Sequence, residues 1–228
     1  NFLITIAKKI DVGFVGSMTH RYCNDGIPLL QTQNIDEFFV NLDNPIQIDK
    51  DFHDFLKKSQ ITKGNLLIAR SGSFGKASVY YKEDTINSSD IIIVEINKNK
   101  YNTNFLSAFL NSKYGSSQLI RFASGGLQGH VNLTILGFLK VPIINESIQH
   151  NISLLIDEAY SLKCKSEDLY AQAIKLLEQE LGLDGIKFEQ SKSYSANFSE
   201  VIKNNRADSE FYNTKYSNYL EIINSYKY

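Results

Sequence analysis

The sequence predicts an α+β protein, a globular mixed α/β domain over residues 1–144 followed by long helices able to form coiled coils. Two observations carry this. Residues 1–144 place short apolar, β-branched runs between turn-forming Asn, Asp, Gly and Pro, whereas from Ile148 the apolar residues recur every third and fourth position. A composition 43% hydrophobic and 21% charged, with three prolines, is that of an ordinary folded chain.

The first short strands follow turns: Asn24-Asp25-Gly26 feeds Ile27-Pro28-Leu29-Leu30, and Asn44-Pro45 feeds Ile46-Gln47-Ile48. Residues 51–59 read as a short helix with Phe52, Phe55 and Leu56 on one face. After Lys63-Gly64-Asn65, the run Leu66-Leu67-Ile68-Ala69 breaks at residues 70–76 and resumes as Ala77-Ser78-Val79-Tyr80-Tyr81. That pattern is a hairpin whose tip carries Arg70, Ser71, Ser73 and Lys76. Residues 89–96, SDIIIVEI, form the strongest strand, a continuous β-branched run suited to a sheet centre. Helical spacing returns through Phe105, Leu106, Phe109 and Leu110 and is expected to close at Lys113-Tyr114-Gly115. Residues 124–132, SGGLQGHVN, make a glycine-rich loop with amide and imidazole groups, and Val141-Pro142-Ile143-Ile144 is a strand-like entry to the next helix.

That helix, the spacer of residues 145–182, organises the chain. Ile148, Ile152, Leu155, Ala159, Leu162, Ser166, Leu169, Ala173 and Leu176 give an unbroken seam over about four heptads. A helix over 146–181 is roughly 54 Å long, more than a small domain needs for its own core, and its narrow seam calls for a partner helix. Asn145 is the expected N-cap, Glu146 suits the first turn, and Gly182 suits the position after the end. Residues 183–205 are expected as a connector. From 206 to 228 a second helix is expected, with a seam at Tyr212, Tyr216, Tyr219, Ile223 and Tyr226.

Charge is distributed unevenly. Residues 1–144 hold 15 Lys and Arg against 12 Asp and Glu, and residues 145–228 hold 9 against 13, giving the net charge of −1. The mildly basic first part permits nucleic-acid contact through one face. No apolar run approaches the ~18 residues of a membrane span, and the start lacks a signal-peptide cleavage pattern, so a cytoplasmic protein without membrane contact is expected. Cys23 and Cys164 lie far apart without metal-ligand spacing, which fits a reducing compartment.

Several patterns compete for chemistry. Gly72-Ser73-Phe74-Gly75-Lys76 has two residues between its glycines and Ala77 after the lysine, where a phosphate-binding loop needs four residues and Ser or Thr. It is a hairpin turn, either simply solvated or touching phosphates and base edges. Asp90 and Glu95, with Lys98, resemble the acidic strand of a divalent-metal nuclease. Their odd separation puts them on opposite sides of a strand, so ordinary strand-end charges are the competing reading. His20, His53, His130 and His150 show no metal-binding spacing. His20 and His130 lie in polar loops, where solvation and DNA contact both remain open. No GxSxG, HExxH or Asn/Asp-Pro-Pro-Tyr supports hydrolysis, metalloproteolysis or amino-methyl transfer.

The succession Gly26-Ile27-Pro28, Gln33-Asn34-Ile35 and Lys63 through Gly75, then Phe109-Leu110-Asn111-Ser112, Gly126-Leu127-Gln128, Val131-Asn132, Val141-Pro142-Ile143 and Gln149, resembles the target-recognition domain of type I restriction-modification specificity subunits. It covers nearly all of residues 13–181. Asn197-Phe198-Ser199, Arg206-Ala207-Asp208 and Tyr212 resemble the start of a following repeat, and Lys63-Gly64-Asn65 departs from the family's usual Gly-Asp. The resemblance implies a non-catalytic DNA-recognition part of a methyltransferase and restriction complex. Its domain would read half of a bipartite site in double-stranded DNA. Its helices, through Ile148, Ile152, Leu155, Ala159, Leu162, Leu169, Ala173 and Leu176, would pair and dock adenine methyltransferase (modification) and restriction/translocase subunits. S-adenosylmethionine, Mg2+ and ATP would belong to those partners, leaving this chain without cofactor or metal.

Expected DNA-contacting residues are Arg21, Arg70, Ser71, Ser73, Lys76, Gln128 and His130. With one recognition domain and a start at Asn1, the chain is expected to be a half-subunit, a fragment, or the specificity part of a fused enzyme. A half-subunit would form a two-fold homodimer. The rival classes are a nuclease using Asp90 and Glu95 and a structural coiled-coil adaptor.

Overall fold

The computed structural model describes residues 1–72, 75–97, 99, 101–124, 130, 131, 133–183, 193 and 195–225, with backbone alone at Ala123, Ser124, His130 and Ser217. In chain order the elements are α1 (Leu3–Ile6), β1 (Ala7–Val12), β2 (Tyr22–Cys23), β3 (Ile27–Leu30), β4 (Phe38–Phe39), β5 (Ile46–Ile48), α2 (Lys50–Phe55), β6 (Gln60–Ile61), β7 (Leu66–Ala69), β8 (Ala77–Val79), β9 (Ile86–Ser88) and β10 (Ile91–Ile96). There follow α3 (Thr103–Asn111), α4 (Lys113–Phe122), β11 (Ala123–Ser124), β12 (His130–Val131), α5 (Leu133–Leu136), α6 (Glu146–Glu180), α7 (Phe198–Asn204) and α8 (Thr214–Ser225). Two compact units result, Asn1–Tyr160 and Ser161–Tyr228.

In the first unit, one five-stranded sheet has the order β1-β10-β7-β8-β4 and a second the order β2-β5-β3-β9-β6. The expected hairpin is present: β7 and β8 are antiparallel, with Leu66 opposite Val79 and Ile68 opposite Ala77. The β-branched run forms β10, which lies between β1 and β7. Its side chains alternate between two cores. Ile92, Val94 and Ile96, with Leu66 and Ile68, pack with α1 and the helices α3 to α5. Ile91 and Ile93, with Leu67 and Ala69, pack with Leu30, Ile35, Ile61, Tyr80 and Ile86. A sheet buried on both faces explains why these strands read as unbroken apolar runs.

Three local expectations change. The helix expected over 51–59 ends at Phe55 and continues as a 3-10 turn, Lys57–Ser59. Phe55 is exposed while His53 turns inward, its Nδ1 lying 2.7 Å from the side-chain amide of the buried Asn87. A polar pairing, invisible to an apolar periodicity, therefore sets which face is buried. Lys113 opens a further helix in place of closing the previous one, because Ser112 is extended and Gly115 allows α4 to touch α3. A Cβ on Gly115 would lie 2.5 Å from Leu110 Cα and collide with the Phe109 carbonyl. Residues 141–144 join no sheet, although Val141 N donates to Asn1 O at 2.7 Å.

The long helix forms as expected. Asn145 Oδ1 accepts from Ser147 N at 2.9 Å at its start. At its end Gly182 (φ +64°) donates to Gln179 O and Leu183 N donates to Glu178 O at 2.7 Å, the paired bonds of a Schellman motif. Its root is bound to the globular unit by polar groups. Gln149 Oε1 accepts from Asn102 N at 3.1 Å, and Asn104 Nδ2 donates to Ser153 Oγ at 3.1 Å and to Asp157 Oδ1 at 2.8 Å. Tyr81 OH donates to Asp157 Oδ1, and the Tyr81 ring stacks on Tyr160 at 4.1 Å. Gln149, Ser153 and Ile156 are the buried residues of the helix; of the seam residues, Ile148, Leu155, Leu162, Leu169 and Leu176 are exposed, whereas Ile152 is half-buried and packs against the globular core.

In the second unit, α7 falls inside the stretch expected as a connector. The helix expected from 206 starts instead at Thr214, because Asp208 accepts from Phe211 N at 3.2 Å and caps a 3-10 turn, Ser209–Tyr212. Arg206 grips Asp208 through Nε and Nη2 at 2.7 and 3.0 Å. Tyr226 of the expected second seam lies outside the described residues.

Replacing Gly115 by Ala is expected to cost about 1–3 kcal/mol through the forced separation of α3 and α4, read as a lower urea midpoint with an unchanged slope. Burial, chiefly, raises the phenols of Tyr80 and Tyr81 above the ordinary tyrosine value of 10.0, and Asp84 and Asp157 add to the effect. Below that value both are neutral folded or unfolded. Above it the unfolded chain releases protons that the folded chain keeps, so stability falls as pH rises. Phenolate absorbance during an alkaline titration should show these two tyrosines ionising together with unfolding, and Tyr81→Phe should reduce the loss.

Candidate nucleic-acid interface

The hairpin tip is placed by register. Ala69 stands opposite Ile91 in the antiparallel pair β7–β10, so the next residues outward, Arg70 and Asp90, must meet. Arg70 Nη1 donates to Asp90 Oδ1 at 2.6 Å, and Ser71 Oγ donates to Asp90 Oδ2 at 2.6 Å. Asp90 takes a left-handed backbone (φ +55°), which asparagine and aspartate tolerate better than most residues. The turn beyond uses Gly72 at φ +69° and Gly75 at φ +86°. Lys76, at the start of β8, donates to Asp36 Oδ1 at 2.8 Å, and that hydrogen bond, with the charges of Asp36 and Glu37, raises its pKa.

The strand pair that flanks the glycine-rich segment reaches the same tip. Ala123 pairs with Val131 and Ser124 with His130, and Val131 N donates to Arg70 O at 3.1 Å. Through Val131 the β11–β12 pair thus stands beside Arg70. Of the sequence-predicted residues, Arg70, Ser71 and Lys76 share the hairpin tip, and the His130 backbone lies in β12, one residue from Val131, whose N–H bonds to that tip. Ser73 and Gln128 lie outside the described residues.

Arg21 sits elsewhere, on the turn before β2. Its Nη2 donates to Asp49 Oδ1 at 2.8 Å and its guanidinium lies 5.1 Å from the Phe52 ring centroid. Asp49 also accepts from Phe52 N and caps α2, so this arginine helps to hold the second sheet to its helix. Sequence reasoning passed over Arg121, exposed in the last turn of α4 just before the glycine-rich loop. A basic residue at a helix end feeding such a loop was the available sign.

Asp90 and Glu95 do not converge. They stand at opposite ends of β10, roughly 17 Å apart along a strand, and Glu95 pairs with Lys8 at 2.6 Å. Among the described residues no His, Cys, Asp and Glu cluster is placed to hold a metal ion, and no helix is long and apolar enough to cross a membrane.

Comparison with solved structures finds the same fold in specificity subunits. The type I restriction-modification S subunit from M. genitalium aligns with a TM-score of 0.54 at 13% identity, covering 81% of this chain and 46% of that one. A chain from a study of complex assembly and conformational transition of the type I R-M system aligns with a TM-score of 0.52 at 14% identity, covering 78% and 42%. The HsdS subunit from Thermoanaerobacter tengcongensis aligns with a TM-score of 0.51 at 13% identity, covering 90% and 41%. This chain therefore spans less than half the length of the solved structures it matches. No relative is found among curated proteins. The profile of the type I restriction modification DNA specificity domain matches residues 21–167, well over half of the chain and all of the hairpin tip, the glycine-rich loop and the clamped root of α6. Tip, loop and the larger part of the long helix are thus within one matched region, and the chain belongs to the type I restriction modification DNA specificity domain family.

Proposed function

We propose that this chain is a non-catalytic DNA-recognition part of a restriction-modification complex, reading one half of a bipartite duplex sequence through the edge where Arg70, Ser71 and Lys76 meet the strand pair β11–β12. The observation that carries the reading is the bond from Val131 N to Arg70 O, which joins β12 to the hairpin tip. Such an edge offers an arginine, hydroxyls and loop amides, the donors and acceptors that base edges in the major groove demand. Lysine and the exposed Arg121 suit the phosphates. The chemistry of methylation, with S-adenosylmethionine, and of translocation, with Mg2+ and ATP, falls to partner subunits in the cytoplasm.

The second half of the proposal concerns α6. Its 35 residues make a rod of about 52 Å, roughly one and a half turns of duplex at ~3.4 Å per base pair. The exposed seam of Ile148, Leu155, Leu162, Leu169 and Leu176, with Ile152, Ala159 and Ala173 between, is supported as a pairing surface by its heptad rhythm. A partner helix, from a twin chain or from another recognition domain, would set two half-site readers at a fixed spacing. Modification and restriction/translocase subunits would then dock on the helical pair.

Methylation mapping on genomic DNA, with the chain reconstituted beside its modification subunits, should return a split motif with a constant gap. Arg70→Ala or Gln128→Ala should weaken binding of that motif by about 5- to 150-fold, the ~1–3 kcal/mol of one good base contact, while thermal stability stays close to wild type. Equal affinity of the wild-type complex for motif and random duplexes would refute DNA reading. For the seam, light scattering on Leu162→Asp should show a dimer reduced to monomers with the circular dichroism of the globular unit retained, and an unchanged mass would place the pairing elsewhere.

A further inference from the structure

The cations at the hairpin tip are already engaged. Arg70 and Asp90 are each about a quarter exposed, and the guanidinium gives one N–H to Asp90 Oδ1 while Asp90 Oδ2 is held by Ser71. Lys76 meets Asp36 at 2.8 Å, with Glu37 adding its negative field. Counting these residues alone, two positive charges face three negative ones. A surface built to hold any duplex by its phosphates would not be arranged in this way, since sequence-independent affinity comes from cations that displace counterions from the backbone.

We propose that Asp90 and Asp36 are specificity-determining residues of this edge, acting by cancelling the attraction of Arg70 and Lys76 for phosphate and by fixing where their remaining N–H groups point. The proposal rests on the DNA-reading function argued above. Arginine carries five N–H donors in a rigid fork, so one given to Asp90 leaves donors for a base edge in a set direction. On a random duplex the carboxylates stand against phosphate and nothing offsets them. On the right sequence the base contacts outweigh that penalty. The carboxylates lower both affinities, and the wrong sequence loses more.

The sign of the effect separates this role from a structural one. With the full chain and two duplexes, one of random sequence and one carrying the methylated motif, Asp90→Asn and Asp36→Asn are each expected to raise random-duplex affinity by about tenfold. The slope of log affinity against log salt should steepen by about 0.9 for each carboxylate removed. The ratio of motif to random affinity should fall. A merely structural Asp90 would lower both affinities on replacement. Asp54→Asn, on the exposed side of α2, makes the same change of net charge and should leave the slope and the ratio unchanged. Unchanged or weakened random-duplex binding in the Asp90 and Asp36 variants would overturn the proposal, as would an equal rise in Asp54→Asn. Should Asp90→Asn fail to fold, Asp36→Asn carries the same test. Failure of the DNA-reading function itself has a different mark: wild type would bind both duplexes alike.

Discussion

Burial of one sheet on both faces is the constraint from which the site follows. β10 and β7 send alternate side chains into two separate cores, so a shift of either strand by one residue would exchange the two sets wholesale. Their register is therefore fixed by hydrophobic burial far from any functional group. Fixing Ala69 against Ile91 also fixes Arg70 against Asp90, and the β7–β8 pairing brings the Lys76 carbonyl to Ala69 N at 3.2 Å. Polar residues at the strand ends thus inherit a geometry decided by apolar residues in the strand middles.

This division explains what the sequence discloses. The strands, the hairpin and the long helix are legible because each is written locally, as a continuous apolar run, a glycine-bearing break or a heptad rhythm. Pairings between segments are not written locally. Asp90 read as half of a metal site with Glu95 because both lie on one run of sequence, yet its partners are Arg70 and Ser71, some twenty residues earlier. Arg21 read as a DNA contact because it sits in a polar loop, and the structure turns it onto Asp49 and Phe52. The break between α3 and α4 was hidden for a related reason. Gly115 reads as a terminator by composition, whereas here it lets two helices touch.

The long helix shows how one element serves two neighbours. Its root is fastened by amides, a carboxylate and a stacked tyrosine pair, with Gln149, Ser153 and Asp157 facing the globular unit. At about 100° per residue, that face lies nearly half a turn from the Ile148, Leu155 and Leu162 seam. Had the globular unit taken the apolar stripe, little would remain for a second helix. Ile156 is buried there and Ile152 packs against the core, so apolar contact joins directional polar bonds in fixing the root, while Ile148 and Leu155 stay exposed. Any partner that covers the exposed leucines meets a helix whose root is already fastened. In the proposed function, docking at the root and pairing along the seam are thus separate duties of one helix.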